Sequence, residues 1–600
     1  MADVSTHEEK TMKAMKDVSF MKSAGRILAV AAISLCAGNA LGAAWQWSNT
    51  TTAASLGPET YIDSTGQIDV YCGTVNINEG AFLKLGGNQN STCNYIGVDN
   101  DANAAVNING GTLWCAASNG SGYLGIGINS RSKAYTATLT LNSGTLKVDG
   151  QIRSAVGWNS AASANKTGTV TINGGTAEVG QFVLGSTSGG TGSSVLNLNG
   201  GSLTLNEMYF RACNGQSFTW GNGTLVAGRA DVFRLETYTS VNSKTRTMQI
   251  TGWPSTFDTA GYAQSIPAFT GTGALRLTGS GTVTFQQSTL SYCLMPDNVT
   301  IDLGALNASS APLTIRSLEI TAPFTLAVSL PASPSGRYPV IATTAGIDGS
   351  LERITVSGGG AGVLVRDGNT LYLSFDGNDA LVYSAAAGGA DTPAETSYSR
   401  LVFADTAGSF TVGGDGLTLS YDISDASTAA QTITAPITFA NGNRSAYVAE
   451  GGKLTLSGGT TAQALLKEGK GTLVLGNATM PTTLVPTEGT IDFGGNTYTG
   501  TLNLDGRLFD GERIVLTNGT YNSAGNFKGS TVVLADGFTM NTSGRIAMGY
   551  VRNGEAPVHD TTLVIDGGTL KVQGNNSNNC NFIGVDRSGT YILELKRGAF

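Results

Sequence analysis

Through the first third of the chain one short phrase keeps returning, and it restricts the possible folds more than any bulk property does. It reads apolar-x-apolar, Asn, a Gly-containing turn, Thr or Ser, then another apolar residue. The first clear copy is Val106-Asn107-Ile108-Asn109-Gly110-Gly111-Thr112-Leu113, and it returns at 139–146, 170–177 and 196–203. The equivalent residues Ile108, Leu141, Ile172 and Leu198 are spaced by 33, 31 and 26 positions, a drifting period in the range of stacked supersecondary units. Alternate residues of each phrase are apolar, so one side chain in two points to a common interior. A lone unit cannot bury that face, whereas parallel strands about 4.8 Å apart can pile their inward Ile, Leu and Val into a column. Gly and Asn at the corners suit the positive φ of a sharp bend. The expectation is an all-β solenoid of parallel strands, with a further strand of each coil at 123–127, 155–158 and 182–185 and loops in polar tracts such as 160–168 and 186–194.

Composition agrees with that reading. Of 600 residues 82 are Gly, 40% are hydrophobic and only 13% are charged, against about 25% charged and about 7% Gly in average chains. Disorder needs the opposite balance of hydrophobicity and charge. A net charge of −8 without a basic stripe argues against nucleic acid as a partner.

The N-terminus reads as a secretory signal with an extended leader, over 1–44: a basic lead at Lys22 and Arg26, an apolar run at 27–37 and a small-residue cleavage region near Ala44. The run is too short to span a membrane, which takes about 20 residues. Acylation at Cys36 is disfavoured because Leu35 occupies the preceding position, where a small residue is needed. The remaining cysteines, Cys72, Cys93, Cys115, Cys213, Cys293 and Cys580, are too sparse for a disulfide framework and show no C-x-x-C spacing for zinc.

Downstream of the signal, 45–219 carries the Asn-Gly-Gly-Thr coils, and from 220 to 375 the phrase changes to a β-strand repeat, as in Gly271-Thr272-Gly273-Ala274-Leu275-Arg276-Leu277. Small, polar, unpatterned residues at 376–397 read as a linker. In 398–510, Lys467-Glu468-Gly469-Lys470-Gly471-Thr472-Leu473-Val474-Leu475 is followed by Gly495-Asn496-Thr497-Tyr498-Thr499-Gly500. That pair of phrases resembles the autotransporter-associated β-strand repeat, and 271–285 is similar, with Arg276 at the Lys position. The resemblance implies a right-handed parallel β-helix like those of autotransporter passengers, and display at the bacterial surface, without implying a reaction. A second, truncated β-helix segment is expected at 511–600, because 563–570 restates the first phrase and 593–600 parallels 75–82, where the earlier copy runs on. An anchor or barrel would then lie beyond residue 600.

Chemistry-bearing constellations are scarce. His7 falls in the leader, and His559 lies in a loop without a nucleophile or an orienting partner in its sequence neighbourhood. Three carboxylate pairs, Asp99 with Asp101, Asp376 with Asp379, and Asp422 with Asp425, read as turn and loop residues. The first has the opening of a calcium loop, but Ala104 and Gly110 replace its turn Gly and closing Glu. Gly358–Gly362 reads as a tight turn between strands rather than a phosphate cradle. Trp114, Trp158 and Trp220 read as core, with a glycan-stacking strip as the other use. No catalytic, cofactor-binding or metal-ligating residue is expected. The function expected is an exported, outer-membrane-associated surface solenoid acting as adhesin or display stalk, with glycans or surface proteins as partners. The rival is a β-helical polysaccharide lyase or glycoside hydrolase, marked by three or more acidic and basic side chains converging in one groove.

Overall fold

The computed structural model of the protein describes residues 45–599 except 65–67, 87–93, 98–102, 117–122, 128–134, 155–165, 186–191, 211–214, 236–244, 441–442, 505–512, 523–524, 528–530, 543–545, 549–560, 573–581 and 584–590. The expected signal, Asp99, Asp101, Trp158, His559, Cys93, Cys213 and Cys580 lie outside the described residues. What is described is all-β: parallel sheets, one three-residue 3-10 turn at Leu351–Arg353 and no α-helix. The chain divides into two compact units, Met1–Leu275 and Arg276–Phe600, so the division falls inside the 220–375 region rather than at its ends.

In the first unit the repeated phrase stacks as its periodicity predicts. Parallel register places Leu56 on Ile77, Ile77 on Ile108, Ile108 on Leu141, Leu141 on Ile172, Ile172 on Leu198, Leu198 on Trp220 and Trp220 on Ile250. Each of these side chains is buried. A second column runs through Leu83, Leu113, Leu146, Ala177, Leu203, Leu225 and Phe257, and a third through Leu124, Ile152, Phe182, Met208 and Phe233. Residues 155–158, expected to supply a strand after the second corner, lie outside the described residues; Gln151–Ser154, the end of strand Tyr135–Ser154, pairs with both neighbours in the third column.

Corner asparagines do a different job from the one their tolerance of positive φ suggests. None of Asn109, Asn142, Asn173 and Asn199 is left-handed; the glycines after them are, with φ of +100° at Gly110, +86° at Gly144, +72° at Gly175 and +65° at Gly201. A Cβ on Gly144 would sit 2.2 Å from the Gly111 carbonyl oxygen, so the corner has no room for a side chain. The asparagines instead form a ladder between coils: Asn142 donates to Asn109 at 2.9 Å, Asn173 to Asn142 at 2.9 Å and Asn199 to Asn173 at 3.0 Å. Asn142→Ala removes two rungs and strands an acceptor and a donor, and should lower stability by about 1 kcal/mol. Urea unfolding checks this; an unchanged midpoint would mean that the ladder only decorates the corner.

The second unit, taken by itself, is also built of parallel strands, from another phrase. Two sheets run side by side through it, one starting Ala380–Tyr383, Ser397–Phe403, Leu417–Asp425 and the other Gly389–Asp391, Phe410–Val412, Ala430–Ile433. Thus 376–397, expected as a linker, carries the first strand of each sheet. Inward Val412, Ile433, Leu456 and Leu475 are buried in one core with Leu401, Ile423, Ala446 and Leu465. Before these sheets, Arg337–Asp348, Val363–Asp367 and Thr370–Ser374 form an antiparallel group, the exception to the parallel rule among the described pairings.

Candidate functional site

Strand Leu417–Asp425 begins with the alternation of a half-buried strand and then buries Tyr421, Asp422, Ile423, Ser424 and Asp425 in succession. Both faces are covered there because strand Val363–Asp367 packs against this strand and against Ser397–Phe403. Side chains that would face water in an uncovered coil are therefore sealed in, and their charges need partners. Arg400, 3% exposed, pairs with the fully buried Asp422 at 2.9 Å and with Glu352 at 2.7 Å, and also donates to the Leu364 carbonyl at 3.0 Å. Burial pushes the Asp422 carboxyl up to about 6 despite Arg400.

The seam continues around the turn at Ser350–Arg353. Glu468 accepts from the Ser350 amide at 3.2 Å and from the Ser445 hydroxyl, and burial raises its pKa. Arg353 pairs with Glu488 and donates to the Thr321 carbonyl. Lys467, the lysine of the repeat phrase, is wholly buried and gives its Nζ hydrogens to the carbonyls of Glu468, Gly469 and Glu488. Burial drives its pKa down to about 7. In the earlier copy, aligning Gly279-Ser280-Gly281-Thr282 with Gly469-Lys470-Gly471-Thr472 puts the buried Leu277 opposite Lys467, and Arg276, expected at that position, is its neighbour, 45% exposed and paired with Asp297 at 2.6 Å.

Next to this seam a cleft of about 540 Å3 opens between the antiparallel group and the coil that follows, with Arg366, Asp348, Asn369, Ser420, Tyr421 and Arg444 among its lining. Arg366 donates to the carbonyls of Gly368 and Ile347 and lies 4.7 Å from the Tyr421 ring centroid. In the first unit a smaller cleft of about 220 Å3 follows a bend of the coils. Its floor is a second ladder, in which Gln151 donates to Gln181 and Gln181 to Glu207, with Glu207 held by Arg229 at 2.7 Å and Arg234 at 3.2 Å.

The residues singled out in the sequence have varied fates. Asp422 and Asp425, read as turn and loop carboxylates, are buried in a strand; Asp425 accepts from Ser427 and burial lifts its pKa to about 6. Asp376 is a turn carboxylate accepting from the Asn378 amide, while Asp379 is buried and bound by Arg337 and Ser374, with the Arg337 hydrogen bond holding its pKa below the usual range. Gly358–Gly362 is a turn, closed by the Gly362 amide on the Gly359 carbonyl. Trp220 is core, but Trp114 is not. Its ring lies on the outer flank, 4.8 Å from Lys84 and 5.2 Å from Lys147, with its Nε1 on Asp149 at 3.0 Å. Lys84 and Lys147 pair in turn with Asp63 and Glu178, so this column is matched from coil to coil.

Sequence reasoning passed over Arg366, Arg400 and Arg444, and read Lys467 and Glu468 only as part of a repeat phrase. The available signal was charge placed inside otherwise apolar strand-like runs, as in Ser397–Phe403 and Ala464–Glu468. Comparison with known proteins supplies no relative: no family model, no curated protein and no solved structure matches this chain.

Proposed function

We propose that the chain is an exported, non-catalytic β-solenoid, a right-handed parallel β-helix of the autotransporter-passenger kind, displayed at the bacterial surface in association with the outer membrane as an adhesin or stalk. One observation carries the reading: outward polar side chains are bonded to their equivalents in neighbouring coils, as in the ladder Asn109, Asn142, Asn173, Asn199. Such ladders stiffen a stack of coils and hold side chains that a reaction would need free. The signal-like N-terminus and the resemblance of 467–475 to a passenger repeat support export and display.

Expression of the full chain in a Gram-negative host tests this. The protein should be cleaved by protease added to intact cells, and the purified protein should leave uronic-acid polymers and host glycans at full length. Protection inside the cell, or release of new chain ends, overturns the reading. A carbohydrate-active enzyme is the second reading, and it has an observation of its own: Asp348, Arg366, Asp367 and Arg444 converge on one cleft, as do Asp149, Glu207 and Arg229 on the other. Release of chain ends that disappears in an Asp348→Asn variant would establish it.

A further inference from the structure

Strand Leu417–Asp425 ends on a carboxylate that is turned into the core of the second unit and fully buried. Parallel register sets Asp425 between Phe403 on one coil and Val448 on the next, both of them core residues. Its Oδ1 accepts from the Ser427 amide at 3.1 Å and the Ser427 hydroxyl at 2.8 Å, while its Oδ2 is buried without a hydrogen-bond partner. Ser427 Oγ accepts in turn from Gln431 at 2.8 Å, and Gln431 accepts from the Phe410 amide at 2.8 Å, so a buried polar chain runs into this carboxyl. Among the described residues no cation ends that chain, because the influences on the Asp425 charge are burial and the two Ser427 hydrogen bonds. The titratable groups on the packed strands act elsewhere: Arg400 on Asp422 and Glu352, and Arg444 under the charges of Arg366 and Asp422. Tyr383 donates to Asp391 at 2.7 Å, Lys467 gives its hydrogens to three carbonyls, Glu468 accepts from Ser445, and Tyr447 is under the charges of Arg353 and Glu488.

An ionised carboxylate in such a core is far costlier than a neutral carboxylic acid, and proton uptake relieves that cost without moving any strand. We propose that Asp425 is a proton-operated latch: taking up one proton tightens the core between the coils of Phe403 and Val448, and releasing it loosens that core. The proton comes from solvent and adds to a carboxylate oxygen, and no other bond changes. Burial raises the Asp425 pKa from 3.8 to about 6, with the Ser427 hydrogen bonds opposing the rise. Between those values the closed core holds a proton that the opened chain has released, so the latch is complete below about 4, weakens as pH rises and is lost above about 6. Asp422 differs, since Arg400 stands beside it at 2.9 Å. The latch goes beyond surface display and operates wherever the chain resides.

Hydrogen exchange on the full chain, read by mass spectrometry on peptides from 417–433, tests it against Asp425→Asn, which keeps the shape and the acceptor for Ser427 but carries no charge. Other carboxylates titrate alike in both proteins, so their effects cancel in the ratio of the two rates. The exchange rate of the wild type relative to the variant should rise by about fiftyfold from pH 4 to pH 7. Infrared difference spectra of the wild type should contain a protonated-carboxyl band that fades as pH rises through about 6 and that the variant lacks. Ser427→Ala removes a donor that favours the charged form, so the band should persist to higher pH, and this variant decides the matter if Asp425→Asn does not fold. A rate ratio equal at pH 4 and pH 7, an infrared titration unchanged in Asp425→Asn, or a band that Ser427→Ala leaves in place overturns the proposal.

Discussion

Replacing Arg400 with methionine should destabilise the second unit by about 3–5 kcal/mol, because it leaves a buried carboxylate without its counter-charge. Asp422 is fully buried and its ion pair with Arg400 at 2.9 Å is its compensation. The loss should depend on pH. In the native protein burial raises the Asp422 pKa from 3.8 to about 6, so between those values the folded state holds a proton that the unfolded chain has released. Stability through this group is therefore present below about 4 and is lost as pH rises through about 6. Without Arg400 the carboxyl climbs further, so the deficit of the variant is largest at neutral pH and narrows on acidification. Urea unfolding at pH 7 and pH 4 measures both; a deficit equal at the two values would mean that lost packing, rather than an exposed charge imbalance, explains the effect.

Trp220→Ala should cost the first unit about 3–5 kcal/mol. Trp220 continues the column that Ile108, Leu141, Ile172 and Leu198 begin, and it fills a wider bore together with Phe218, Phe257 and Phe269 at ring separations of 5.6 to 6.0 Å. Its Nε1 donates to the Gly223 carbonyl at 2.9 Å, so truncation also strands a buried acceptor. Trp114→Ala is the matched control: that ring lies on the flank between two lysines, and its loss should cost less than about 1 kcal/mol. Unfolding followed by far-UV circular dichroism should separate the two variants clearly, and similar losses would sink the assignment of one ring to the core and the other to the surface.

How much of this was legible in the sequence varies with the distance over which each contact acts. Alternation is a local property, and it placed Ile108, Leu141, Ile172 and Leu198 on one another correctly because parallel coils repeat the same environment. Corner chemistry was half legible. Glycine's freedom is written in its own residue, but the Asn142 bonds to Asn109 and Asn173 depend on coils about thirty residues away. The buried seam was not legible at all. Asp422 carries the local pattern of an exposed polar position, and what covers its face is a strand 50 or more residues earlier, Val363–Asp367, whose packing no periodicity announces, while Asp425 lies in register with the core residues Phe403 and Val448. Lys467 shows the same limit: its phrase pointed to a repeat, while its role as a bracket for three carbonyls needed neighbours at Gly469 and Glu488.

Lys467 also separates chemical identity from chemical behaviour. An amine that is out of contact with solvent and whose Nζ is engaged by three carbonyls is hidden from acylating reagents in the native state. Its labelling rate therefore becomes an internal clock for opening of this part of the stack, and mass spectrometry can read it one lysine at a time.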